Sequence, residues 1–232
     1  MQAPCPLPTR LKVLAHQLDY GEILADIGTD HAYLPIYAVQ NKIVERAIAC
    51  DIHHPPLQSA FINIEKFHVT DQVECRMGNG LSVLLDAEID IISMAGLGGI
   101  TIRTILSEEY EKAKKANSIL LQPNNHEADV RFWLAEMGFK TLAEGVLKDR
   151  KHFYQWMKVQ WDGEIRGIDS FTAHYGIIEN ATEDLVRLEW LTKERNRLHK
   201  ALQGRQNAKN PLPGLSEDDE KTIAKIDELL KK

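Results

Sequence analysis

Two aspartates, Asp26 and Asp30, bracket a glycine turn at Gly28 within the run LADIGTDHAYLP, Leu24 to Pro35. Ile23, Leu24 and Ala25 form a short apolar run ending on Asp26, and the chain restarts as a helix around Tyr33 and Leu34. Strand, tight turn and helix N-terminus in that order are how an open α/β sheet presents a cofactor site. Gly28 lets a ligand approach the backbone closely, and the N–H groups beyond it can hold a carboxylate or phosphate. The G-x-G-x-x-G fingerprint of dinucleotide binders is absent, because Thr29, Asp30 and His31 follow Gly28. Acids on both sides of the turn repel a pyrophosphate but suit a cofactor that carries positive charge, such as a sulfonium.

Four further strand ends carry ligand-type residues. The run RAIACD closes on Asp51, where a carboxylate in a doubly wound sheet accepts hydrogen bonds from ribose hydroxyls. The loop MGNGL places Asn79 between Gly78 and Gly80, a tight turn that can lie along a flat ring while the amide pairs with an adenine edge. The run DIISMAGLGG opens from an apolar strand into a glycine-rich loop at Ala95 and Gly96, and ILLQPNN is a short strand stopped by Pro123. Together they describe a nucleoside-containing cofactor lying across successive strand ends.

The order DIGTDHAYLP, CD, GNGL, MAGLGG and LQPN resembles the class I S-adenosylmethionine methyltransferases. Within them it is similar to the bacterial TrmK family, which methylates N1 of the adenine at position 22 in the D-arm of tRNA. The resemblance runs from about Thr9 to Gln160, and more weakly beyond. MAGLGG stands where IAGMGG is usual, HHPPLQSA replaces an acid-and-glycine start to the same helix, and Asn79 stands where many relatives carry Asp. The resemblance implies S-adenosyl-L-methionine as cofactor and tRNA as partner. The candidate cofactor residues are Asp26, Gly28, His31, Asp51, Ile52, Gly78, Asn79, Gly80, Ala95 and Gly96.

Methyl transfer to adenine N1 needs no base before attack, because that lone pair is free at neutral pH. The product is cationic, so a nearby carboxylate or amide oxygen would stabilise it and hold the exocyclic amine. Asp30 is the first candidate for this contact and Asn124 the second; the other reading of each is a cap on the helix that follows. N1 lies on the Watson–Crick edge, so the target base must leave its stack to be reached.

A chain of 232 residues, 44% of them hydrophobic, can bury one ordinary core with material left for an appendage. No apolar run is long enough to cross a bilayer, and MQAPCPLPTR has no apolar segment of the signal-peptide kind. Cys5, Cys50 and Cys75 form no paired or metal-type spacing, which suits a reducing cytoplasm. The nine histidines are scattered and the His53–His54 pair lacks a third ligand, so no metal is expected. A monomer is expected.

The elements that must position these residues fall into two parts, 1–163 and 164–232. The first is predicted as a Rossmann-like, doubly wound α/β domain that binds the cofactor. A helix N-capped by Thr9 and stopped by Gly21 precedes strands near 23–27, 46–51, 72–76, 89–94 and 118–122. A helix from Glu127 to Met137, closed by Gly138, leads into a final hairpin over 141–148 and 152–160.

The second part is predicted as an α-helical hairpin, coiled-coil-like, that binds tRNA. Its apolar stripe runs through Ile178, Ala181, Leu185, Leu188, Leu198 and Leu202, interrupted by Arg195. After the break from Gly204 to Gly214, Ser216 and Asp219 form a capping box for a helix carrying Ile223, Ile226 and Leu230. The net charge of −6 argues against a simple nucleic-acid binder, but the run from Lys193 to Lys209 is basic. Lys193, Arg197 and Lys200 share one helix face, either a phosphate-contacting patch or a solvated surface. Two other readings stay open at this stage: a nicotinamide-dependent oxidoreductase on the same kind of sheet, and a non-catalytic adaptor using the helical hairpin. A class I methyltransferase acting on another RNA or on a small molecule is a further alternative.

Overall fold

Each apolar run becomes a strand because residues pointing both ways along it find a helix layer to bury against. The computed structural model describes residues 4–177, 184–206 and 215–231. Its first part runs α1 (Thr9–Ala15), β1 (Gly21–Ile27), α2 (Tyr33–Gln40), β2 (Val44–Asp51), α3 (His54–Lys66) and β3 (Val73–Met77). It continues through β4 (Ile91–Leu97), α4 (Gly99–Glu108), α5 (Tyr110–Ala113), β5 (Ser118–Pro123) and α6 (Glu127–Glu136). A hairpin of β6 (Phe139–Asp149) and β7 (His152–Trp161) and the short α7 (Ser170–Tyr175) follow.

The strands form one seven-stranded sheet in the order β3-β2-β1-β4-β5-β7-β6. The pairs from β3 through β5 are parallel, while β7 runs antiparallel to both β5 and β6. Ile23, Ala25 and Ile27 of β1 face a core shared with Ile102 of α4 and Val130 of α6. Leu24 points the other way, into a core with Leu34 of α2 and Ile64 of α3. Helices on both faces of a mostly parallel sheet make the Rossmann-like α/β fold expected from the sequence.

Several boundaries differ from expectation. Thr9 is the first helical residue of α1 rather than its N-cap, which is Pro8, and the helix ends at Ala15, well before Gly21. Proline at the cap position fits because the first helical N–H groups have no intrahelical partner to lose. Leu14 is fully buried with Leu120, Leu147 and Trp156, so α1 is held by the β5–β7–β6 side of the sheet. Gly138, with φ +79, closes α6 as expected.

The chain divides into one unit of Met1–His174 and a second of Tyr175–Lys232. Residues 164–174, assigned by composition to the second part, therefore belong with the first. Arg131 explains why: buried on α6, it pairs with Glu144 of β6 at 2.8 Å and donates to Ala173 O at 3.0 Å. Arg166 N–H donates to Ala135 O at 2.9 Å, and Gln155 Nε2 to His174 O at 3.1 Å.

The second unit contains α8 (Leu185–Gln206) and α9 (Leu215–Leu230). Ile178, Ala181 and most of the expected break, 207–214, lie outside the described residues. Leu185 is 77% exposed, so the expected stripe has the wrong register at its start. Leu198 on α8 and Ile223 and Ile226 on α9 are buried as expected, and Arg187, Trp190 and Leu191 join them on α8. Arg195, taken from the sequence as an interruption, pairs with Asp227 of α9 at 3.2 Å. The expected capping box is displaced as well. Helix α9 starts at Leu215, which puts Ser216 inside the first turn, and Asp219 accepts from Arg205 Nη1.

Candidate active site

The strand order turns back between β1 and β4, and crevices in open α/β sheets lie outside the carboxyl ends of strands at such a point. The loop after β1 begins with Gly28 at φ +80, a conformation that an L side chain rarely adopts. A Cβ there would lie 2.7 Å from Leu97 Cδ2. Gly28 and Thr29 N–H both donate to Cys50 O, at 2.8 and 2.9 Å, which pins the turn to the end of β2.

One pocket gathers Asp26, Gly28, Asp30, His31 and Ala95, five of the residues singled out from the sequence. Asp26 lies on its floor, almost fully buried, with Oδ1 accepting from Ser93 Oγ at 2.6 Å. Burial pushes the Asp26 carboxyl above its ordinary range, against the pull of its hydrogen bonds from Ser93 and Thr29 and of the Arg10 charge. A buried carboxylate at the pocket floor is well placed to accept a cationic ligand. Asp30 is at the mouth, 75% exposed, with Oδ2 3.3 Å from His31 Nε2. Asp30 does not cap α2, whose N-cap is Ala32; Thr29 Oγ1 accepts the Ala32 N–H at 3.2 Å and so closes the turn that leads into the helix. The His31 ring stacks on Tyr33 at 5.2 Å, and Asn63 Nδ2 holds His31 O at 3.0 Å.

A second group sits at the carboxyl ends of β2 and β3. Asp51 Oδ1 accepts from His53 N–H at 2.7 Å, leaving Oδ2 for a hydroxyl, and Ile52 beside it is 56% exposed. Gly78 N–H donates to Asp51 O at 3.1 Å, so the two strand ends share one edge. Asn79 Nδ2 turns to Glu108 Oε2 at 3.3 Å. Gly80, buried at φ +56, brings that loop against Ile105, 2.7 Å from where a Cβ would stand.

Asn124 behaves differently from expectation. Helix α6 starts at Glu127, after His126, and Asn124 does not cap it. Its Nδ2 donates to Gly96 O at 2.6 Å and its Oδ1 accepts from Gln122 Nε2 at 3.2 Å. The amide thus ties the β5 end to the Gly96 turn. Lys193, Arg197 and Lys200 are all exposed on α8, and Arg197 Nε donates to Glu194 Oε2 at 2.8 Å. Burial raises the Cys50 thiol to about 12, so it is no nucleophile near neutrality.

Arg10 and Gln122 were not singled out from the sequence. Arg10 also lines the pocket; its Nη1 donates to Gln122 Oε1 at 2.6 Å and stands 2.7 Å from where a Gly96 Cβ would be. Its guanidinium also lies 5.7 Å from the centre of the Tyr154 ring. The pocket thus presents a guanidinium as well as a buried carboxylate, the pair of charges that an amino-acid zwitterion requires. One signal was available: a glutamine inside the run ILLQP needs partners once buried, and Gln122 is fully buried.

Crevice, glycine turn and strand-end acids define a nucleoside-cofactor enzyme, and residues 7–157 match the family described as a methyltransferase domain. Over 172 residues, 74% of this chain and 72% of the relative, the sequence is 33% identical to the tRNA (adenine(22)-N(1))-methyltransferase of Bacillus subtilis (strain 168). The crystal structure of the B. subtilis M1A22 tRNA methyltransferase TrmK superposes with a TM-score of 0.78 at 29% identity, covering 98% of this chain and 97% of that one. The structure of M. capricolum TrmK in complex with S-adenosyl-homocysteine gives 0.80 at 29% identity, with 97% and 98% covered. The chain belongs to the TrmK family of methyltransferases. The nicotinamide and adaptor readings are thereby set aside. Among the described residues no helix is long and apolar enough to cross a membrane.

Proposed function

We infer that this chain transfers a methyl group from S-adenosyl-L-methionine to N1 of the adenine at position 22 in the D-arm of tRNA. The observation that carries the reading is the pairing of buried Asp26 with Arg10 in one pocket beside the Gly28 turn. That charge pattern, continued by the Asp51 carboxylate, fits an amino-acid zwitterion joined through a sulfonium to a nucleoside.

When bound, S-adenosyl-L-methionine supplies a methyl group already activated by its positive sulfur. Asp26 holds the cationic side of the amino-acid end, and Arg10 takes the carboxylate with the donors that Gln122 leaves over. His31 walls the same end of the pocket. Asp51 Oδ2 accepts from the ribose hydroxyls, Ile52 covers one face of the adenine, and Asn79 Oδ1 accepts from its amino group. Gly78 and Gly80 let the chain pass close to that ring, and Ala95 and Gly96 form the opposite wall.

Positioning supplies most of the rate, because the attacking lone pair needs no prior deprotonation. Asp30, exposed at the mouth, accepts the exocyclic amine of the target base and stabilises its new positive charge. Asn124 acts through Gly96 as a positioning residue. Lys193, Arg197 and Lys200 contact tRNA phosphates from the second unit. The chain is read as a monomer, and the free thiols of Cys5, Cys50 and Cys75 support a reducing cytoplasm. The test is incubation of purified protein with unmodified tRNA and cofactor, then reverse transcription: a new stop at position 22 is expected. No stop, or a stop elsewhere, would overturn the assignment.

A further inference from the structure

We propose that the turn of the β6–β7 hairpin, Arg150 and Lys151, is a phosphate grip that holds the tRNA backbone beside the pocket. The inference rests on the tRNA reading above and adds a second RNA contact, built into the catalytic unit itself.

Strand direction places the turn. Strand β7 is antiparallel to β5, and Leu121 pairs with Met157, so β7 residues before Gln155 run past the carboxyl end of β5 at Pro123. That is the edge on which the pocket opens. From Gln155 to the turn at Lys151 the strand rise carries the chain about 13 Å outward. The base of this projection is anchored at the pocket, since Arg10 packs over the Tyr154 ring.

Charge decides what the projection meets. Arg150 and Lys151 stand side by side there, in a chain whose net charge is −6. Some surface cations of this unit are neutralised by carboxylates, Lys114 by Glu111, Lys115 by Asp86 and Arg166 by Asp162, while others such as Lys42 and Arg103 stand singly among the described residues. Arg150 and Lys151 are exposed and have no ion pair with a described residue. Two adjacent cations without such partners gather small anions from solution, which a polyanion releases on binding.

Local geometry points the same way. Arg150 adopts φ +54, a conformation that glycine or asparagine takes at lower cost, so the turn carries an arginine despite its backbone preference. Lys148 Nζ stacks 5.5 Å over Phe153, and the His152 ring lies 6.4 Å from Tyr154. The basic turn is therefore backed by flat rings, the combination that single-stranded nucleic acid favours. A target base drawn out of its stack leaves flanking phosphates near the pocket mouth, within reach of this turn.

The test uses the full chain and unmodified tRNA, with binding measured by fluorescence anisotropy over a range of salt. In Arg150→Gln/Lys151→Gln we expect tRNA binding weaker by about tenfold at moderate salt. The slope of log affinity against log salt should flatten by about one to two units. Affinity for S-adenosyl-L-methionine and kcat at saturating tRNA should stay as in wild type, and Arg150→Lys/Lys151→Arg should restore tRNA binding. Unchanged affinity and slope in the Gln variant would overturn the grip, as would a loss confined to kcat. Wild-type protein that binds tRNA without methylating it would sink the enzymatic reading instead, and the binding comparison would still judge the turn.

Discussion

Arg10 Nη1 donates to Gln122 Oε1 over 2.6 Å, a bond that joins the N-terminal helix to the buried end of β5. Gln122 passes the connection on, because its Nε2 also donates to Pro123 O and Asn124 Oδ1 at 2.8 and 3.2 Å. Gln122→Leu would leave a guanidinium donor, the Pro123 carbonyl and the Asn124 amide oxygen without their partner. The expected cost is about 1–3 kcal/mol of stability, with weaker cofactor binding as Arg10 loses its anchor. Urea unfolding and calorimetry check both; an unchanged midpoint would mean that water replaces Gln122.

Asp51→Ala removes a carboxylate that already spends one oxygen on His53 N–H. Loss of the ribose acceptor should weaken S-adenosyl-L-methionine binding by about 1.5–3 kcal/mol, the scale for hydrogen bonds to a charged group. A folded variant with wild-type affinity would remove Asp51 from the site.

The parallel strands and the hairpin could be read from the sequence because each is an apolar run closed by glycine, proline or an acid. Asp26, Gly28 and Ala95 could be placed at one site because strand ends in such a sheet share an edge. Arg10 could not, since one arginine on a short amphipathic helix looks like any solvated residue until the register of α1 against β6 is known. The start of the α8 stripe failed for a related reason. Counting leucines put exposed Leu185 on the buried face and left out Arg187, which donates to Ile177 O at 3.2 Å. The boundary before residue 164 failed because the contacts of Arg131 with Glu144 and Ala173 are invisible in composition.

The Asp26 carboxyl is held above its ordinary range by burial, and this gives binding a pH dependence of known sign. In the free protein a raised carboxyl favours folding most below its unfolded pKa, and that contribution is lost as pH rises through the folded value. A bound cation favours the ionised form instead. Cofactor binding should therefore release protons in that window, with affinity rising as pH rises through it. Calorimetry in buffers of different ionisation heat reads the release, and Asp26→Asn should abolish that share of it. Equal proton release in wild type and variant would place the cofactor's cation elsewhere.

Asp30 is exposed and, among the described residues, its one ion pair is with His31, so its substitution should leave the fold intact. If it holds the target adenine, Asp30→Asn lowers kcat while cofactor affinity stays near wild type, the pattern of a contact made mainly in the transition state. Parallel loss of cofactor binding and turnover would make Asp30 part of the cofactor turn. Full activity would exclude it from the chemistry.

Lys193, Arg197 and Lys200 test the second unit separately. All three are exposed, and Arg197 also reaches the buried Tyr175 with a hydrogen bond. Arg197 is already paired with Glu194, so part of its charge is neutralised before any RNA arrives. Replacing all three by Glu should raise the apparent tRNA constant and flatten its salt dependence, since fewer counterions are released. Arg197→Glu would face Glu194, a repulsion of about 0.2–0.5 kcal/mol, and would lose the hydrogen bond to Tyr175, so melting should fall slightly. Cofactor affinity should not change, because every residue placed at the cofactor belongs to the first unit. If the triple variant keeps wild-type tRNA kinetics, this face of α8 is a solvated surface and the RNA is held elsewhere.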